Sequence, residues 1–253
     1  VSDDLHSVAL AAARAGAAAI VSVSRDDLAT RDKGGIEDFV TAADLASEEA
    51  ITEVIRRHRP GDAIVAEESG RFAGSTSVCW YVDPLDGTAN FVAGTPDYAV
   101  CVAAYVAGVP TAAVIYRPAD DRWLATTPSG LDGSYVPALL PGRPLSEAVI
   151  TVSRPHEQSR SEVATRLRSL LGPLVRQERR TGSAAWAMLL ITMGEHDAYL
   201  SPDIPLWDTA AGHLLVQRAG GLVTTTLDGG MPLSIVGTPA VTIALAEAIK
   251  TRQ

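Results

Sequence analysis

The sequence predicts a layered α/β fold in which helices cover sheets. Three features carry that expectation. The chain begins with a long alanine-rich stretch of helical apolar spacing, short β-like runs cluster between Ala63 and Thr126, and strand-like and helix-like segments alternate in the second half.

Taken in order, Leu5 to Leu28 reads as a long first helix, followed by a polar, turn-like Arg31-Asp-Lys-Gly-Gly35. Thr41 caps a second helix that runs to about His58, and Pro60-Gly61 ends it. Short β-like runs at Ala63–Ala66 and Val78–Val82 precede longer ones at Tyr98–Tyr105, Thr111–Tyr116 and Trp123–Thr126. Gly108-Val-Pro110 and Pro118-Ala-Asp-Asp121 between them look like hairpin turns. Pro128 to Pro144, with four prolines and three glycines, reads as a long loop or subdomain boundary. Beyond it, strands are expected at Val149–Val152, Leu174–Arg179, Ala198–Leu200 and Leu222–Thr226. The helices are expected at Glu157–Leu171, Ser183–Met193, Leu206–Ala219 and Pro239–Thr251. One sheet should be antiparallel and the other mixed. The expected division is an N-terminal α+β subdomain over 1–145 and a C-terminal α/β subdomain over 146–253.

Composition narrows the function classes. Apolar residues make up 47% and charged residues 20% of 253, which suits a soluble globular chain with a substantial core. The most apolar stretch, Val8–Val23, is mostly alanine and is interrupted by Arg14, so no membrane span is expected. No signal-peptide pattern opens the sequence, and cytoplasmic location is the default expectation. A formal charge of −9 argues against binding nucleic acid or an anionic membrane. Cys79 and Cys101 sit in apolar strand-like runs and read as buried free thiols; no spacing suggests zinc.

The most informative segment is Trp80-Tyr-Val-Asp-Pro-Leu-Asp-Gly-Thr-Ala-Asn-Phe91. An apolar run delivers Asp83, proline interrupts it, Asp86 follows three residues later, and Gly87-Thr88 opens a short helix. Two carboxylates and the intervening Leu85 carbonyl suit one hard cation, and the amides at the helix start suit phosphate oxygens. On spacing alone the segment is also an ordinary Asp-Pro, Asp-Gly turn. Glu67-Glu68-Ser69-Gly70 has a bland reading as a solvated loop, Asp208 as a helix cap, and Asp44 as a plain helical residue.

Five motifs in order change that balance: Asp38-Phe-Val-Thr-Ala-Ala-Asp44, Ala66-Glu-Glu-Ser69, Val82-Asp-Pro-Leu-Asp-Gly-Thr-Ala-Asn-Phe91, Gly182-Ser-Ala-Ala185 and Leu206-Trp-Asp-Thr-Ala-Ala-Gly212. Through them the chain resembles the inositol monophosphatase superfamily of lithium-sensitive, magnesium-dependent phosphatases along nearly its whole length. The resemblance implies a layered α-β-α-β-α sandwich of the inositol monophosphatase and fructose-1,6-bisphosphatase type, and often a homodimer. It also implies two or three Mg2+ ions. Glu67, Asp83 and the Leu85 carbonyl would hold a first ion, Asp83, Asp86 and Asp208 a second, and Glu67 with water a weaker third. By the same similarity Thr88 and Asp44, assisted by Glu67, would orient and deprotonate the attacking water. Gly87 and Thr88 amides would hold the phosphate, with Ser183, Ala184, Ser201 and Asp208 on the substrate side. Lys33 matches a position the family often fills with lysine, and Glu68 would lie just behind the ligands.

The chemistry fits this site. Phosphoryl transfer to water needs charge neutralised on nucleophile, equatorial oxygens and leaving group, which paired magnesium ions about 4 Å apart supply. Magnesium takes carboxylates, carbonyls and water, and the proposed site offers these without cysteine or histidine.

Substrate choice is open. Inositol-directed members place a glutamate seven residues before the last aspartate; here that residue is Ser201, and Asp203 replaces it only if the loop takes another path. The Gly-x-Gly-Ala and Asn-Gly turns of many members are also missing. Trp207-Asp-Thr-Ala-Ala-Gly-His213 resembles the branch acting on adenosine 3′,5′-bisphosphate, whereas Ala89-Asn90 resembles the inositol or histidinol phosphate branch. The substrate is a small phosphomonoester: an inositol phosphate, histidinol phosphate, a sugar phosphate or a related metabolite. The alternatives are a 3′(2′),5′-bisphosphate nucleotidase and a catalytically silent binding or regulatory homologue. His213, five positions past Asp208, reads as a surface residue. The other histidines form no metal spacing. Arg179-Arg180 reads as a solvated strand end, and Trp186 and Met188 read as helix core or dimer face.

Overall fold

The computed structural model describes residues 2–23, 31–35, 38–138, 142–153, 158–228 and 230–251, and among these residues two main sheets and seven α-helices order the chain. Side chains are described for all of these except 2–4, 31–35, 38–39 and 158–161.

Helix α1 (Ser2–Ser22) is the expected alanine-rich helix. Leu5, Val8, Ala9, Ala12, Ala13, Ala17 and Ile20 recur every three or four residues, so one stripe of the helix is buried. Its Leu5–Ser22 window has the length and composition of a membrane span, but half of it is buried inside the protein, as in a core helix. Arg31–Gly35, expected as a turn, is strand β1 and pairs antiparallel with β2 (Asp38–Val40). Helix α2 (Ala42–His58) starts at a Thr41 capping box closed by Asp44.

The larger sheet has the order β4 (Gly70–Phe72), β3 (Ala63–Ala66), β5 (Val78–Asp86), β6 (Ala99–Val106), β7 (Val109–Arg117), β8 (Arg122–Thr127), β9 (Gly130–Gly133). Only β3 and β5 of this sheet pair in parallel. The β6–β7 turn lies at Ala107-Gly108, with φ of 49° and 81°. Two positive φ values suit a tight hairpin, so Val109 and Pro110 already belong to β7. Strand β9 lies inside the stretch expected as a loop. Alternation sends Val100, Val102 and Ala104 toward α1 and α2, and Ala99, Cys101 and Ala103 toward the opposite face.

That opposite face packs on α5 (Ala184–Thr192) and α6 (Leu206–Arg218). Beyond them the second sheet has the order β11 (Gln177–Arg179), β10 (Val149–Val152), β12 (Ala198–Pro202), β14 (Met231–Gly237), β13 (Leu222–Asp228). Tyr199 and Val236 of this sheet face α5 and α6, whereas Leu200, Leu233 and Ile235 face α4 (Gln158–Leu171) and α7 (Pro239–Lys250). The stacking is therefore helix, sheet, helix, sheet, helix. Strand β14, which no sequence run foretold, is the sheet member that joins β12 to β13.

Candidate active site

The site begins where β5 stops being regular. Asp83 lies opposite Cys101 and Asp86 opposite Ala99, so three steps on β5 match two on β6. One extra residue is bulged out at Pro84-Leu85, where proline has no N–H to give the ladder. Asp83 is 2% exposed, and its Oδ1 accepts a hydrogen bond from the Leu85 amide at 3.0 Å. The chain then turns through Gly87, φ 92°, into α3 (Thr88–Val92). A Cβ on Gly87 would come within 2.9 Å of the Asp97 carbonyl, so this close passage requires glycine.

Helix α2 supplies the next groups. Asp44 is 1% exposed; the Thr41 amide donates to its Oδ2 at 2.8 Å, and Thr88 Oγ1 donates to its Oδ1 at 2.9 Å. The Thr88 hydroxyl also stands 3.0 Å from the Leu85 carbonyl oxygen. Burial raises the Asp44 pKa, against the lowering effect of the Thr41 and Thr88 hydrogen bonds. Ser47 Oγ donates to the Pro84 carbonyl at 2.8 Å. Glu48 accepts from the amides of Glu68 at 2.8 Å and Ser69 at 3.0 Å, and from the Ser69 hydroxyl. That carboxylate holds the β3–β4 turn carrying Glu67, whose own amide donates to the Val82 carbonyl at 3.1 Å.

Asp86 faces the start of α5. Its carboxylate accepts from Ser183 Oγ at 2.5 Å, the Ala185 amide at 2.6 Å and the Ala184 amide at 3.2 Å. Ser183 and Ala184, expected beside substrate, are buried and direct these donors at Asp86 instead. A helix start has unsatisfied amides, and Asp86 takes two of them. Asn90 secures the same junction, with Nδ2 donating to the Asp97 carbonyl at 2.6 Å and the Thr181 carbonyl at 2.8 Å.

Asp208 enters from the first turn of α6. Ser201, expected to meet substrate, is 0% exposed in β12, opposite Ser234. Burial removes it from direct contact, and Asp203, just past the strand with φ 39°, is the exposed carboxylate of that turn. Tyr199 is buried two residues before Ser201, and burial together with the Asp86 and Asp208 charges keeps its phenol protonated. His213, expected at the surface, is half-buried, its Nε2 3.2 Å from Ser234 Oγ; burial pushes its pKa down to about 4. Arg179 and Arg180 are exposed, Met188 is buried, and Trp186 lies under the Arg117 guanidinium at 3.8 Å. Cys101 is buried and Cys79 half-buried, both as free thiols. The side chain of Lys33 lies outside the described residues.

Electrostatics bind these pieces together. Burial, then the charges of Glu67, Asp86 and Asp208, push Asp83 well above the usual carboxylate range. Burial lifts Asp86 to about 6 even against its three hydrogen bonds, and Glu67 adds to the rise. Cys101, opposite Asp83, has its thiol pushed up by burial and by the same four carboxylates. Among the described residues, no three acid, histidine or cysteine side chains close on one point as a formed metal shell. The buried Asp83 with the three carboxylates whose charges act on it nevertheless offers a donor set of oxygen atoms of the kind a hard divalent cation takes.

Of the residues expected from the sequence, the structure links Asp44 with Thr88 by a hydrogen bond and Glu67, Asp83, Asp86 and Asp208 by their charges. Glu48, Ser47 and Tyr199 join them without having been expected. Glu48 had a visible signal: it lies one helical turn after Asp44 and so on the same face.

The sequence profile of the inositol monophosphatase family matches residues 2–251. The "Nus factor SuhB" of Pasteurella multocida is 38% identical over 79% of this chain and 76% of its own length. The "Inositol-1-monophosphatase SuhB" of Mycobacterium tuberculosis is 34% identical over 93% of this chain and 87% of its own. Among solved structures, the suhB protein of Bartonella henselae superposes with a TM-score of 0.86 at 29% identity, covering 96% of this chain and 97% of that one. Inositol monophosphatase from Anabaena gives 0.83 at 28% identity, covering 97% and 95%. The chain belongs to the inositol monophosphatase family, a family of metal-dependent small-molecule phosphatases, and is a phosphomonoesterase of the layered fold those proteins share.

Proposed function

We propose that the chain hydrolyses a small phosphomonoester with water at the cleft bounded by the β5–α3 turn, the β3–β4 turn and the start of α6. The observation that carries this reading is the Thr88–Asp44 hydrogen bond of 2.9 Å beside a buried Asp83 on which the charges of Glu67, Asp86 and Asp208 act. Glu67, Asp83, the Leu85 carbonyl, Asp86 and Asp208 are the groups that would hold magnesium. When bound, the metal supplies charge neutralisation for the phosphoryl oxygens and a lowered pKa for the attacking water.

The protein's own groups do the rest. Asp44 accepts the Thr88 proton, which turns the lone pairs of Thr88 Oγ1 outward to receive a proton from water. Thr41 fixes the other Asp44 oxygen, so the acceptor keeps one orientation. The start of α3 presents the amides of Gly87 and Thr88 to phosphate. Asp86 is held by the α5 donors, and the Asp208 charge acts on Asp83 from α6.

The substrate belongs among inositol phosphates, histidinol phosphate and sugar phosphates. The 34% identity to a protein named inositol-1-monophosphatase favours the first, while buried Ser201 and exposed Asp203 favour a leaving group read by the turn after β12. A cytoplasmic location and a homodimer are parts of the same proposal. Phosphate release across these esters, with and without magnesium, tests it. We expect magnesium-dependent turnover of at least one ester, and none by Asp83→Asn. Equal turnover by that variant removes the metal assignment.

A second reading comes from the 38% identity to a protein named Nus factor. Replacement of that protein in Pasteurella multocida by Asp83→Asn would separate the two roles. Rescue without hydrolysis supports a non-catalytic role, and failure of both wild type and variant removes it.

A further inference from the structure

We propose that Glu48 is a positioning residue for this reaction, keeping the Glu67 turn in register with the Thr88–Asp44 pair through the rigid length of α2. The proposal rests on the site reading given above.

Glu48 is 3% exposed, a depth at which a carboxylate ordinarily needs a partner. Its partners are three donors on two consecutive residues: the Glu68 amide, the Ser69 amide and the Ser69 hydroxyl. Three converging donors satisfy a carboxylate without a cation. Those donors belong to the segment that directly follows Glu67. The Glu67 backbone is thus tied on one side to β5, through its amide and the Val82 carbonyl, and on the other to α2.

The same helix carries Asp44 one turn earlier, roughly 6 Å along the axis. Between them Ser47 Oγ bonds the Pro84 carbonyl inside the β5 bulge. Three side chains on one buried face therefore reach the β5–α3 turn, the bulge and the β3–β4 turn. These segments carry Thr88, Asp83 with Asp86, and Glu67. A helix rises by a fixed amount per residue, so their separation cannot drift as separate loops would. The reaction needs such tolerance, because small misplacements of reacting groups cost large factors in rate.

Removing the Glu48 carboxylate frees the two amides and the hydroxyl and lets the turn relax, while Asp44 and Thr88 keep their own contact. Glu48→Ala should weaken magnesium binding by about 10- to 100-fold, the usual effect of losing a group that orients a ligand. Titration calorimetry of metal-free protein reads this without activity. Turnover number should fall while KM stays, and Glu48→Gln should lie between, since it keeps one acceptor oxygen. Ser69→Ala removes only the exposed hydroxyl leg and should shift binding less, in the same direction.

A double-mutant cycle with Glu67→Gln decides the route. If Glu48 acts through Glu67, its loss adds nothing further in the Glu67→Gln background. Additive losses, or wild-type magnesium affinity in folded Glu48→Ala with only thermal stability reduced, overturn the proposal. If Glu48→Ala fails to fold, the same cycle is run with Ser69→Ala, where non-additive losses support the proposal and additive ones overturn it. A wild-type chain that binds no magnesium sinks the site reading and this proposal together. Normal binding lost in Glu67→Gln but kept in Glu48→Ala sinks this proposal alone.

Discussion

Asp83 and Asp86 are three residues apart on one strand yet lie on the same face of the larger sheet. Their partners, Cys101 and Ala99, are two residues apart on β6 and both pack toward α5 and α6. On a regular strand an odd spacing would send the two carboxylates to opposite faces. Asp86 would then enter the apolar layer beneath α1 and α2. The residue inserted at Pro84-Leu85 reverses that outcome, and it also places Leu85 among the α1–α2 core residues while its carbonyl reaches the Thr88 hydroxyl.

Bringing two aspartates together in a buried place has a predictable cost. Asp83 bears such a cost, because burial and the Glu67, Asp86 and Asp208 charges all oppose its ionisation. Asp83→Asn should abolish turnover and, in metal-free protein at pH 8, raise unfolding stability by about 1–3 kcal/mol. Urea unfolding of the two metal-free proteins checks this. A less stable variant would mean that the aspartate is ionised and satisfied without a cation.

The carboxylate cluster also fixes how stability responds to pH. Asp86 takes its proton at about 6 in the folded chain, against 3.8 for the group in its ordinary state. Between those values the folded state binds more protons, so stability is fully present below about 4 and declines as pH rises through 6. Asp83, pushed up by burial and by the Glu67, Asp86 and Asp208 charges, acts in the same sense. Magnesium should reverse the trend, since it binds the ionised form. Thermal midpoints should therefore rise more on magnesium addition at pH 8 than at pH 5.5. An equal rise at both would show that these carboxylates do not hold the ion.

Thr88 and Asp44 predict a different pattern, a loss of rate without a loss of metal. Thr88→Ala should lower kcat by about 100- to 10,000-fold, the range for a missing proton acceptor, with magnesium affinity close to wild type. Thr88→Ser keeps the hydroxyl and should retain most of the rate. Asp44→Asn should match Thr88→Ala, and the double variant should be no worse than either, because the two act as one unit. Independent, multiplying losses would separate their roles.

The elements that the sequence revealed are those whose pattern is local. Helix α2 was legible because Thr41 caps its start and Pro60-Gly61 ends it, and the structure adds the Asp44 half of a capping box. The acids of the site were legible as motifs around turns. The strands that escaped notice are short or broken in pattern: β4 has three residues, β9 has glycine at both ends, and β14 carries Pro232. Their pairing is set by distant partners, which no window of sequence contains. For Glu48 the sequence shows the helix face it shares with Asp44, but its donors stand 20 and 21 residues away, outside that local pattern. His213 was misplaced because α6 is packed on both sides between sheets, so a residue off the Asp208 face still meets a strand.

That misplaced histidine supplies the last prediction. His213 is half-buried between α6 and β14, takes a proton only at about 4, and has Ser234 as its polar partner. In the unfolded chain it protonates near 6.5. The unfolded state therefore binds the extra proton in the window between, so the stability present above 6.5 is lost as pH falls toward 4. The size is at most about 3 kcal/mol. The carboxylate cluster changes stability in the opposite sense over the same range, so a single pH curve mixes the two. Comparing wild type with His213→Gln in metal-free buffer cancels the carboxylates, because glutamine keeps a partner for Ser234 but does not titrate. The wild type should lose stability relative to the variant between pH 7.5 and 4.5. A constant difference would mean that the buried ring accepts its proton without penalty, through a contact other than Ser234.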